Sequence, residues 1–188
     1  MSKLLAVCYY ICISLLLSYK EYISMTAISS VKHSELLPLI VKAKKYLKSS
    51  QTIINLFKEN NLPIDYLDYI PVKFDKIDTS AKTVSGVIIL SYKLLEDNDF
   101  YKDYSYLAHE ITHFIQQCFA EEATESGDEH YLDNEYEIEG FQKQVEYLQE
   151  EFGPEEAEKY ADSLLEYHEY KKNKRKQKKD ELMANVNE

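Results

Sequence analysis

The chain has 188 residues, 45% of them apolar and 29% charged, which suits one domain with its own core and excludes wholesale disorder. Its formal net charge of −11 excludes a general nucleic-acid binder, because phosphate neutralisation needs local basic charge. Glycine and proline are scarce, four of each, which favours long helices over a turn-rich β-sandwich.

The chain opens on an apolar run from Leu4 to Leu17 behind Lys3. The run is too short for an unaided membrane span and has the length of a signal-peptide core. Three readings of residues 1–26 stay open: a signal or membrane-associating leader, a start extended upstream of the true Met25, or a buried helix. The first implies secretion or membrane contact through residues 4–17. Cys8 and Cys12 fall in this run with no second pair to complete a metal site, and with Cys118 they do not form a disulfide framework.

The body of the domain is expected over residues 27–170. Residues 34–48 read as a helix, with Ser34 as its cap and Pro38 in the first turn. Residues 51–60 read as a second helix, ended by Asn60, Asn61 and Pro63. Ile64 to Ile77 reads as mixed extended chain. Val84 to Leu90 reads as a strand entered through a turn at Gly86, with Gly86–Leu90 either an edge that pairs with an extended peptide or plain core sheet.

Residues 101–119 carry the strongest helical pattern. Leu107, Ile111, Phe114, Ile115 and Cys118 form one buried stripe. An acidic loop follows over 121–134. A further helix is expected over 135–151, with Ile138, Phe141, Val145 and Leu148 on one face, and a last one over 155–169 behind Pro154. The tail, 171–188, begins with seven basic residues in nine and reads as solvated, frayed and outside the core. Together the elements predict an α+β class: a mostly helical domain with a small sheet beside the helix of 101–119.

That helix carries His109-Glu110-Ile111-Thr112-His113. Two histidines four apart lie on one helical face, one turn from each other, so both imidazoles can reach one metal ion. Glu110 lies between them and can approach a metal-bound water as a general base without being a ligand. This is the Zn2+ chemistry of HExxH peptidases, which needs a third protein ligand and an open position for water. Downstream candidates for the third ligand are Glu135, Glu137, Glu139 and Glu146, with His130 from the loop. The extended three-histidine motif fails, because Gln116 and Phe119 stand where its glycine and third histidine belong. His33 and His168 have no partner at metal spacing and read as structural or exposed. Gln116 and Gln117 read as solvent-facing or as partners of a metal-site residue, the first being favoured.

The stretches YLAHEITHFIQQ and YLDNEYEIEGFQKQVEYL resemble the small phage-associated predicted zinc metallopeptidases, a gluzincin-like group with an HExxHxxQ helix and an ExEAF helix. The resemblance spans roughly residues 35–170. It implies His109 and His113 as zinc ligands, Glu110 as the base and Glu137 as the third ligand, with Gly140 standing where the pattern has alanine, which allows either a closer approach of the HExxH helix or a looser site. The related ExxxD pattern would put an aspartate at position 141, which here is Phe141, so an outer acceptor such as Asp133 is expected instead. Tyr131, Tyr136 and His130 are candidates for the oxyanion donor. The implied activity is peptide-bond hydrolysis, with a peptide or protein substrate and with virion proteins as possible partners. The rival expectation is a non-catalytic, zinc-stabilised virion or interaction protein.

Overall fold

A computed structural model describes residues 33–95, 100–119 and 131–184. The leader, most of the acidic loop and His130 lie outside the described residues. None of the described helices is long and apolar enough to cross a membrane.

Helix α1 (His33–Leu47) buries Leu36, Ile40, Ala43 and Leu47, a single stripe at helical spacing. Ser34 lies within this helix rather than capping it, and Pro38 stands inside it rather than in the first turn. The proline is on the exposed side, where a carbonyl lacking an intrahelical partner can be solvated. Helix α2 (Gln51–Glu59) is capped by Ser50. Its open N–H groups also receive help from another helix: the Glu150 carboxylate accepts from Gln51 N at 2.6 Å and Thr52 N at 2.9 Å.

The stretch expected to be extended after Pro63 begins instead as a 3-10 turn, Ile64–Tyr69. Side chains from α1 and the turn after it hold it. The buried Lys44 ammonium donates to the carbonyls of Asp68 and Ile70, while Lys48 pairs with Asp65 and Asp68. Extended chain follows as β1 (Val72–Asp75).

The segment around Gly86 is a hairpin, not one strand. Strands β2 (Ala81–Val84) and β3 (Val87–Ser91) pair antiparallel across Ser85 and Gly86. Both turn residues have positive φ, 50° and 74°, as a type I′ turn requires. β1 pairs parallel with β3, so the three-stranded sheet has the order β1-β3-β2. Of the two readings of 86–90, the core-sheet one holds: β3 is central, and the edge beside the next helix belongs to β2.

Helix α3 (Phe100–Phe119) packs on β2 and β3 through one face and on helix α4 (Glu135–Phe152) through another. Tyr104, Leu107, Ile111 and Ile115 enter the main core with Leu47, Ile53, Leu56, Phe57, Leu67 and Ile88. Asn134 caps α4, its side chain accepting from Tyr136 N at 2.9 Å. Helix α5 (Pro154–Tyr167) folds back on α4 after Gly153.

The basic tail departs from expectation. Residues Arg175–Leu182 form helix α6, which packs on α4 and α5. Leu182 is 1% exposed and joins a second cluster with Leu132, Phe141 and Leu165. Lys178 is buried beside Tyr170, and its ammonium pairs with Asp133 at 3.1 Å and Glu181 at 2.8 Å. A lysine stem can cover apolar surface while its head stays paired, which is how so basic a segment takes part in the core. The chain is thus mostly helical with one small sheet, an α+β arrangement.

Candidate metal centre

Helices α3 and α4 meet at His109, His113 and Glu137. The two histidines follow each other by one turn on α3, and their Nε2 atoms lie 2.8 Å apart. Glu137, in the first turn of α4, places Oε2 at 3.5 Å from His109 Nε2 and 3.3 Å from His113 Nε2. His109 is almost fully buried, at 5% exposure, and the other two are half-buried. Among the described residues this is the one group of three that can hold a metal ion.

A circle through the three converging atoms has a radius of about 1.9 Å, given their edges of 2.8, 3.3 and 3.5 Å. Imidazole nitrogen and carboxylate oxygen bind divalent zinc at about 2.0–2.2 Å. Three lone-pair atoms facing one point repel unless a cation or protons lie between them. Glu137 Oε2 is buried without a hydrogen bond, as is His109 Nδ1. The donor set and the size of the triangle therefore fit a bound metal ion.

The electrostatics agree. Burial works to lower the pKa of His113, but Glu137, the Gln116 side chain and Glu110 together raise it above the ordinary histidine value. Burial works to raise the pKa of Glu137, but the two imidazoles and a hydrogen bond from the Tyr131 hydroxyl hold it well below the carboxylate range. The Tyr131 hydroxyl is in turn pushed upward, first by burial and then by the Glu137 charge.

Glu110 is 6% exposed. The Thr83 hydroxyl, from edge strand β2, lies 2.7 Å from its Oε2 and 3.1 Å from its main-chain oxygen. The sheet thus fixes the carboxylate that the helix carries. Two turns further on, Gln117 donates to Thr83 O at 3.3 Å and accepts from Gly86 N at 3.2 Å, tying α3 to the hairpin.

The other candidates sort clearly. Glu135 is exposed. Glu139 accepts from Gln116 Nε2 at 2.8 Å, and Glu146 pairs with Lys143 at 3.1 Å. Asp133 does not serve as the outer acceptor of a histidine. It accepts from Tyr170 at 2.7 Å and pairs with Lys178. Of the oxyanion candidates, Tyr131 points its hydroxyl at Glu137, and the carbonyl of Tyr136 accepts from Gln116. His168 is not isolated: its ring stacks on Tyr131 at 5.0 Å.

Sequence reasoning undervalued Gln116 and Thr83, and of its two readings of Gly140 the closer helix approach holds. Gln116 takes the reading not favoured, with its Oε1 2.7 Å from His113 Nδ1. Thr83 sits in a strand too short and polar to be read as one. Gly140 lies directly under the His109 ring: a Cβ there would meet three ring atoms at 2.9–3.0 Å. The departure of Gly140 from the alanine pattern was the one signal in the sequence for that contact.

No family profile, curated protein or solved structure matches the chain.

Proposed function

We propose that this chain is a zinc-dependent peptidase with a zincin-like site, in which His109, His113 and Glu137 hold the ion and Glu110 is the general base. One observation carries the reading: three lone-pair atoms from two helices converge at bonding distance of one ion, beside a buried carboxylate that is not among them. Two nitrogens and one oxygen suit zinc, a borderline-soft ion that takes three protein ligands and keeps one position open in catalytic sites. The resemblance of the two motif helices to the phage-associated metallopeptidases supports the same assignment.

Zinc, when bound, supplies Lewis acidity: it lowers the pKa of water in its open position and polarises the scissile carbonyl. Glu110 takes the proton of the attacking water and delivers it to the departing amine. Thr83 holds that carboxylate in place. Strand β2 is the sheet edge next to Glu110, and a peptide laid along it would extend the sheet past the base.

Glu110→Gln separates this reading from a purely structural metal site. The variant should fold and retain one equivalent of zinc, while His113→Ala and Glu137→Ala lose it. Wild-type protein should cut members of a mixed peptide library, with chelator or Glu110→Gln abolishing the cleavage. Zinc binding with no cleavage of any peptide would favour the non-catalytic reading, and cleavage that survives Glu110→Gln would overturn the mechanism.

A further inference from the structure

The polarity of one side-chain relay can be read without choosing any hydrogen positions. Gln116 Nε2 faces the Glu139 carboxylate at 2.8 Å and the Tyr136 carbonyl at 3.2 Å. A main-chain carbonyl has no proton to give, and an ionised carboxylate has none either. The amide nitrogen of Gln116 must therefore be the end that points at them. Its oxygen is left facing His113 Nδ1 at 2.7 Å. An amide oxygen only accepts, so Nδ1 must carry a proton. In the neutral ring the lone pair then belongs to Nε2, the atom that faces His109 and Glu137.

We infer that Gln116 is the positioning residue that selects the metal-binding tautomer of His113, and that Glu139 and the Tyr136 carbonyl set Gln116. The inference rests on the metal-site reading for its purpose but not for its evidence. Glu139, one of the candidate ligands, thereby gains a different role, orienting the amide that orients the ligand. The two histidines also become unequal. His109 Nδ1 has no hydrogen-bond partner and lies against Gly140, so nothing comparable selects its tautomer. With His113 Nε2 as an acceptor, the 2.8 Å contact between the rings assigns the proton in the metal-free protein to His109 Nε2. That leaves a lone pair on the partnerless Nδ1.

The test uses the full chain with 15N-labelled histidine, free of metal and at mildly alkaline pH, where long-range proton–nitrogen correlations report the tautomer of each ring. Zinc affinity is measured beside it by competition with a chromophoric chelator. Wild-type His113 should show a protonated Nδ1 and an unprotonated Nε2. Gln116→Leu should scramble that tautomer and weaken zinc binding by about ten- to a hundred-fold. A wild-type His113 protonated on Nε2, or a Gln116→Leu spectrum identical to wild type, overturns the inference. The wild-type spectrum decides even if Gln116→Leu does not fold. If wild-type protein binds no zinc, the proposed function fails while the tautomer result still stands or falls by itself.

Discussion

Gly140→Ala adds one methyl group at the most confined point of the site. In an open helix that change stabilises by up to about 1 kcal/mol, because alanine loses less conformational freedom on folding. Here the new Cβ would stand 2.9 Å from His109 Cε1 and 3.0 Å from both ring nitrogens. Ordinary contact begins near 3.5 Å, so the ring must withdraw by about 0.5 Å. It has little room to do so, with Phe141 and His113 ring centroids each 4.5 Å from its own. Overpacking of this kind costs about 1–3 kcal/mol. Against the helix gain, the metal-free variant should lie between unchanged and about 2 kcal/mol less stable.

The metal tells the two contributions apart. Ligand distances tolerate about 0.2 Å, so a displacement of the imidazole by about 0.5 Å exceeds what the site can absorb. Zinc affinity should fall at least ten-fold, equivalent to about 1.4 kcal/mol. Paired thermal unfolding curves, metal-free and zinc-loaded, together with chelator competition would measure this. Metal-free curves that differ by no more than about 2 kcal/mol, with a collapsed zinc-induced shift, are expected. A variant that gains the full helix-propensity stabilisation and binds zinc as wild type does would show that His109 does not rest on Gly140.

Three further outcomes follow. Thr83→Val should leave zinc content intact and reduce peptide turnover at least ten-fold, with Thr83→Ser retaining it; equal turnover in both would remove Thr83 from the positioning of Glu110. Leu182→Ala should cost about 2–5 kcal/mol in urea unfolding, as a buried leucine does, and no loss would mean that α6 is not docked. For pH, the raised His113 value stabilises the metal-free fold fully below the unfolded histidine range and is lost as pH rises through the raised folded value, while the stability from the lowered Glu137 value is present above the unfolded carboxylate range and lost as pH falls through the lowered folded value. Metal-free stability should therefore be greatest under mildly acidic conditions, whereas the zinc-induced rise in Tm should grow with pH, because His113 must shed its proton to bind.

The candidate metal ligands were legible because helical spacing is a strong constraint. Two imidazoles four residues apart share a face wherever the helix sits, and an acidic helix downstream could supply the third group. What the sequence could not rank by spacing alone was Glu135, Glu137 and Glu139, since one helical turn of carboxylates offers several orientations; their separation depends on how α4 rolls against α3. Strand β2 was missed for a different reason. Ala81-Lys82-Thr83-Val84 carries too little apolar surface to announce a strand, and it is held by pairing with β3 and by contact with α3. Helix α6 was hidden by its charge. Its burial depends on Lys178 meeting Asp133, Glu181 and the Tyr170 ring, partners that one-dimensional periodicity cannot supply.

The same unsatisfied atoms bear on how the two helices hold together. Elsewhere in the described core, buried cations have evident partners: Lys44 has two carbonyls, Lys143 has Glu59 and Glu146, and Lys178 has Asp133 and Glu181. Between α3 and α4, by contrast, His109 Nδ1 and Glu137 Oε2 are buried without hydrogen bonds, and two imidazole nitrogens crowd the same point. Each unsatisfied buried polar group costs about 1–3 kcal/mol. These costs fall at the contact that joins the HExxH helix to the helix bearing Glu137. A cation at that point satisfies Glu137 Oε2 and both Nε2 atoms at once. It should therefore strengthen the packing of α4 on α3 more than any other contact in the domain, so amide-exchange protection gained on zinc binding should concentrate in those two helices.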